Sequence, residues 1–252
     1  MSNDIKSKLT SAYFELVMKE IRAFMPRDDE EDWREFGEAI MNQVFRSGPT
    51  VISKKPAKKE EFVANKIFRP MSEILSSLWA IENISIYVRS FPYKKQGISP
   101  LSYLQYHIEN YLNEIYILKT RLISYLNILE KAYSKFKQER VTSKTLKPLY
   151  SAVTTAFKPY AEVRGSHVHV SRFMDEDTDR LSTLNLLSIS GDNFGHLMKN
   201  MFVSCYRAAR KKWAEKIEKD SVAIHKLLDF YFGELTKMLF QDEHLIIPEI
   251  YK

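Results

Sequence analysis

Between Pro100 and Pro148 the chain contains neither glycine nor proline, and this uninterrupted stretch limits what it can fold into. Gly and Pro punctuate turns, and a β-sandwich or barrel would place turn signals about every 8 to 12 residues. Through the same stretch Leu104, Ile108, Leu112, Ile115, Leu118, Leu122, Leu126 and Leu129 recur at three- and four-residue steps, the period of one face of an α-helix. The spacing predicts one long helix from about Leu101 to Phe136, with Ser99 as its cap and Pro100 in its first turn.

The rest of the chain reads the same way. Apolar residues at helical spacing predict a helix over Ile5 to Met25, ended by Pro26, and a weaker one over Glu31 to Phe45, capped by Asp28 or Asp29. Ser53 to Lys59 reads as an exposed connection. From Glu60 to Phe91 an apolar stripe is interrupted by Pro70, a kink or a new start. Thr142 or Ser143 caps a helix that Pro159 perturbs, and the segment from Tyr160 to Phe173 follows. Asp175 caps Glu176 to Leu187, Ser190-Gly191-Asp192 breaks the chain, and two further helices cover Phe194 to Lys216 and Ser221 to Leu239. The expected fold class is all-α: a helical bundle with long antiparallel helices and an accessory N-terminal helical pair in residues 1–50.

Composition narrows the setting. A single cysteine, Cys205, excludes an intrachain disulfide, and no Cys/His spacing resembles a structural zinc site. No apolar run approaches the roughly 18 residues needed to span a bilayer. The expectation is a cytoplasmic protein with no membrane association, no cofactor and no metal. A formal charge of +6 permits a polyanionic ligand without requiring one.

The polar groups that could carry chemistry crowd between Val163 and Phe173, where Arg164, Ser166, His167, His169 and Arg172 stand within nine positions. On an ideal helix Arg164 lies near His167, whereas His169 shares a face with Arg172, and Arg164 and His169 are about 140° apart. Such a pair converges on one phosphate if the helix is distorted, for which Gly165 is placed, or if a second helix presents its own copies. His167 and His169 make a poor metal pair, because alternate residues diverge on a helix and the nearest carboxylates are Glu162 and Asp175.

Arg164, four intervening residues and His169, late in a helix after long apolar helices, resemble the motif of the HEPN superfamily, in which an Arg and a His sit four to six residues apart on a helix of a four- or five-helix bundle. The resemblance covers residues 60–240, with 241–252 as a C-terminal tail. It implies a metal-independent endoribonuclease that cuts RNA by attack of the 2′-hydroxyl, with Arg164 and His169 as catalytic residues at a composite site of a homodimer. Ser166, His167 and Arg172 would support them. It also implies the setting of a toxin or defence effector restrained by an antitoxin or regulatory protein. The chemistry is coherent, since an imidazole exchanges protons near neutral pH and a guanidinium stabilises charge on phosphoryl oxygens. One departure stands out: Gly165 follows the Arg where active members carry Asn, Asp or His, so that polar helper is missing or is replaced by Ser166 or His167.

A second basic feature comprises Arg207, Arg210, Lys211, Lys212, Lys216 and Lys219 with Tyr206 and Trp213 interleaved. Such a run binds an RNA backbone with aromatic stacking, or, more commonly, is the wet face of a helix with Glu215 and Glu218 as counter-charges. Two readings compete with the nuclease: a non-catalytic helical module binding nucleotide, RNA or protein, which Gly165 favours, and a plain helical scaffold.

Overall fold

The computed structural model describes residues 8–23, 58–90, 97–134, 141–169 and 174–251, with backbone alone over 161–169. The described chain is almost wholly helical. Four long helices form the bundle: α3 (Arg69–Arg89), α4 (Pro100–Tyr133), α5 (Ser143–His169) and α7 (Asn193–Leu239). They are joined by α1 (Lys8–Arg22), the single turn α2 (Lys58–Phe62), and α6 (Glu176–Leu187).

The start of α4 is the one expected from sequence: Ser99 accepts a hydrogen bond from the Ser102 N–H, and Pro100 opens the first turn. Leu104, Ile108, Ile115, Leu118, Leu122, Leu126 and Leu129 of its predicted stripe are all but fully buried. Side-chain bonds fix the direction of its neighbours. Tyr103, early in α4, donates to the carbonyls of Tyr87 and Ser90 at the end of α3, while Arg121, late in α4, donates to the Glu73 carbonyl near the start of α3. The two helices are therefore antiparallel. Tyr111 donates to Asp220 and the Tyr231 hydroxyl to the Leu122 carbonyl, so α7 runs parallel to α4. Tyr150 of α5 reaches Asn127, and Tyr160 lies against Tyr111, which makes α5 antiparallel to both.

Pro70 marks a new start. A π-helical stretch (Val63–Phe68) precedes it, in which the Arg69 N–H reaches back to the Ala64 carbonyl, and the wider turn makes room where a proline ring would otherwise press on the preceding turn. One expectation is corrected. The helices foreseen over Phe194 to Lys216 and Ser221 to Leu239 are one continuous α7 of 47 residues. The intervening Ile217-Glu218-Lys219-Asp220 carries charge but no helix breaker, Ile217 is buried, and Lys216 pairs with Asp220 one turn on at 2.7 Å. The helix that Pro159 is expected to perturb runs on, since α5 passes through Pro148 and Pro159 to His169. A proline inside a helix costs about 3 kcal/mol, but here Leu149, Val153 and Phe157 are buried on the same helix and their burial is of larger size.

α1 enters the common core rather than lying beside it. Tyr13 and Val17 are fully buried, and the Tyr13 hydroxyl meets that of Tyr125 at 2.5 Å. Its expected partner over Glu31 to Phe45 lies outside the described residues. The C-terminal segment is folded as well. Strands β1 (Phe240–Gln241) and β2 (His244–Leu245) turn through Asp242 and Glu243, both at positive φ, and the Leu245 N–H donates to the buried Glu20 of α1 at 3.1 Å.

Candidate nucleic-acid interface

The Arg-x4-His segment occupies the last turns of α5. Positions 164, 166, 167 and 169 are helical; the side chains of Arg164, Ser166, His167 and His169, and Arg172 altogether, lie outside the described residues. What holds this end of α5 is visible one turn upstream. The Tyr160 ring lies 6.4 Å from that of Tyr111, and the Lys216 ammonium sits 5.3 Å above it. Asp220 ties the group together, accepting from the Tyr111 hydroxyl at 2.5 Å and from Lys216 at 2.7 Å. Burial, reinforced by bonding to Asp220, holds both phenols well above the usual tyrosine range, so they stay protonated.

The basic run on α7 divides between two faces. Arg207, Arg210 and Lys211 line a cleft of about 330 Å³ with Arg89 and Ala214. Lys212 points elsewhere and pairs with Asp177 of α6 at 2.6 Å. Lys216, which meets Tyr160, is nine residues from Arg207 and thus about half a turn round the helix. α5 accordingly reaches α7 on the side away from the cleft.

Within the cleft the cations have different tasks. Arg210 donates to the carbonyls of Val88, at 3.1 Å, and Arg89, while Tyr103 occupies those of Tyr87 and Ser90. The exposed carbonyls and negative dipole end of α3 are thereby satisfied. Arg89 pairs with Glu218 at 2.7 Å, and Lys211 lies 3.9 Å from Glu215. Arg207 makes no ion pair or hydrogen bond among the described residues, so its guanidinium is the cation in the cleft most available to a phosphate.

The interleaved aromatics are not stacking platforms. Tyr206 and Trp213 are only 4% and 5% exposed; Tyr206 stacks on Phe202, and the Trp213 N–H donates to Asp175. The rings that do reach solvent beside the end of α3 come from other segments: Tyr87 is 47% exposed, and His107 sits between it and Tyr103 at ring distances of 5.5 and 4.4 Å. Burial lowers the His107 pKa. Sequence reasoning missed this cluster because its members are distant along the chain and each reads as part of an ordinary helix stripe.

Comparison with known proteins leaves the chain unplaced: no family model, curated protein or solved structure matches it. Among the described residues no three His, Cys, Asp or Glu side chains gather as a metal ligand set, and no helix is long and apolar enough to cross a membrane.

Proposed function

We propose that this chain is a metal-independent endoribonuclease of the HEPN type. In this reading Arg164 and His169 of two copies form one composite site, with Ser166, His167 and Arg172 in support. The observation that carries the reading is the unbroken course of α5 through positions 164 and 169 in an all-helical bundle, beyond a turn anchored by Tyr160. On one regular helix an Arg and a His five residues apart diverge by about 140°. Two copies remove the difficulty, because the guanidinium of one and the imidazole of the other can address the same phosphate. One imidazole takes the proton of the ribose 2′-hydroxyl, the other returns a proton to the departing 5′-oxygen, and Arg164 stabilises the charge that develops between them. The products carry a 2′,3′-cyclic phosphate and a free 5′-hydroxyl. An activity of this kind would need restraint by an antitoxin or regulatory protein, and a cytoplasmic setting supplies its RNA.

Purified protein incubated with labelled single-stranded RNA in excess EDTA is expected to cut it, to leave the matching deoxy-oligonucleotide intact, and to lose cleavage on His169→Ala with folding retained. Cleavage that survives His169→Ala, or that requires a divalent ion, overturns the proposal. A second reading, a non-catalytic module that binds RNA, draws support from the Arg207 cleft, which lies across α7 from Tyr160. It predicts binding lost on Arg207→Glu, with no cleavage by the unmodified chain.

A further inference from the structure

From the second half of α6 into the first turns of α7 the surface is apolar, nearly uncharged and exposed. Eighteen large hydrophobic side chains are exposed among the described residues, and seven of them fall between Leu186 and Val203. Leu186 is 65% exposed, Ile189 76%, Phe194 50%, Leu197 55% and Met201 44%. From Leu181 to Tyr206 only Asp192 and Lys199 carry a formal charge, in a chain that is 28% charged. Isolated exposed leucines are ordinary; a stripe is not, because water-facing helix surfaces are normally kept polar. On α7 the positions Phe194, Leu197 and Met201 follow one another at helical spacing and flank the buried Met198 and Phe202, so they form a continuous ridge.

Among the described residues the hairpin that carries this ridge is held by its own caps. Asp192 caps α7 by accepting from the Gly195 N–H at 2.8 Å, and Asp175 caps α6 while accepting from Trp213 of α7. The surface is therefore presented on a built hairpin.

We infer that the α6–α7 hairpin is the face on which two copies of this chain pair. The five named side chains expose roughly 500 Å² of mostly apolar surface per copy, a large share of the ~800 Å² per partner that a stable interface buries. The charges identify the occupant. The charged residues of α6 stand in its first half, before Leu181, and from Leu181 to Tyr206 Asp192 and Lys199 cancel, so a strongly charged partner finds no net charge on this stretch, whereas a second copy related by a two-fold axis meets apolar surface with apolar surface. The inference rests on the exposed ridge and not on the Arg-x4-His motif; it deepens the nuclease reading by naming the face that supplies the second copy.

Sedimentation velocity on the full chain at about 10 μM, well above the dissociation constant such an interface supports, is expected to give twice the mass of one chain. Leu197→Asp with Met201→Asp is expected to give a monomer with an unchanged helical circular dichroism spectrum. If that variant does not fold, Leu197→Ser with Met201→Ser is expected to weaken dimerisation at least about tenfold. The pair Trp79→Ser and Ile86→Ser removes exposed apolar side chains from α3 and is expected to leave the dimer intact. A monomeric unmodified chain, a folded hairpin variant that remains dimeric, or a dimer lost only through α3 overturns the inference. Cleavage assayed on the same samples separates the two proposals: a folded dimer that does not cut RNA defeats the nuclease reading alone, and a cutting dimer unaffected by the hairpin variants defeats this one alone.

Discussion

The indole N–H of Trp213 donates to the Asp175 carboxylate at 3.0 Å, so the residue that caps α6 is also gripped by the middle of α7. Asp175 closes a capping box with Thr178, and Lys212 bonds to Asp177 one step along. A segment that in sequence combines a cap with a basic, aromatic run is, in space, the clasp of a helical hairpin.

Asp175→Ala is expected to destabilise the chain by about 2 kcal/mol, from loss of the cap and of one hydrogen bond to a charged group. Trp213→Phe removes the N–H and part of the buried ring, so it is expected to cost about 2 kcal/mol, from the lost hydrogen bond and the space left behind, and to leave RNA affinity unchanged. Urea unfolding and a fluorescence binding titration on the two variants measure both effects.

Gly195 is required by close approach. A Cβ at this position would stand 1.7 Å from the Ser190 carbonyl oxygen, whereas one at Gly191 meets no atom within 4 Å. Gly195→Ala is expected to force the turn open and to cost more than about 3 kcal/mol, while Gly191→Ala stays within about 0.5 kcal/mol. Thermal unfolding of the two variants side by side is the check.

Arg207 and Arg210 share a cleft and are expected to fail differently. Arg207→Ala should weaken binding of single-stranded RNA and flatten the slope of log K against log salt by about 0.7, the share of one phosphate contact, with stability within about 0.5 kcal/mol. Arg210→Ala uncovers the Val88 and Arg89 carbonyls and is expected to cost about 1 to 2 kcal/mol of stability. Salt-dependent binding titrations and urea curves distinguish the two.

His107 supplies a pH dependence. Its pKa is lowered by burial among Tyr87, Tyr103 and Tyr106, and its Nδ1 has no hydrogen-bond partner among the described residues. As pH falls below the usual imidazole value, the unfolded chain takes up a proton that the folded chain refuses, so stability decreases. The urea midpoint is expected to fall as the pH is lowered below about 6.5, and His107→Phe is expected to flatten that part of the curve.

The helical class, the start of α4 at Ser99, the Asp175 cap and the inward stripe of α4 were legible in the residues, because each rests on local geometry: a 3.6-residue period, or a side-chain oxygen within reach of a free N–H three positions on. What only the tertiary structure decided depended on burial by distant segments. Pro159 and the charged Lys216 to Asp220 stretch look like breaks locally, yet Phe157, Tyr160, Ile217 and Asp220 are packed or bonded across the bundle, and those contacts keep α5 and α7 continuous. Tyr206 and Trp213 look like ligand platforms until Phe202 and Asp175 are seen against them. The Arg207 cleft and the bare face of the α6–α7 hairpin have no local signature at all, since a surface is defined by which neighbours a fold brings up to it and which it leaves away.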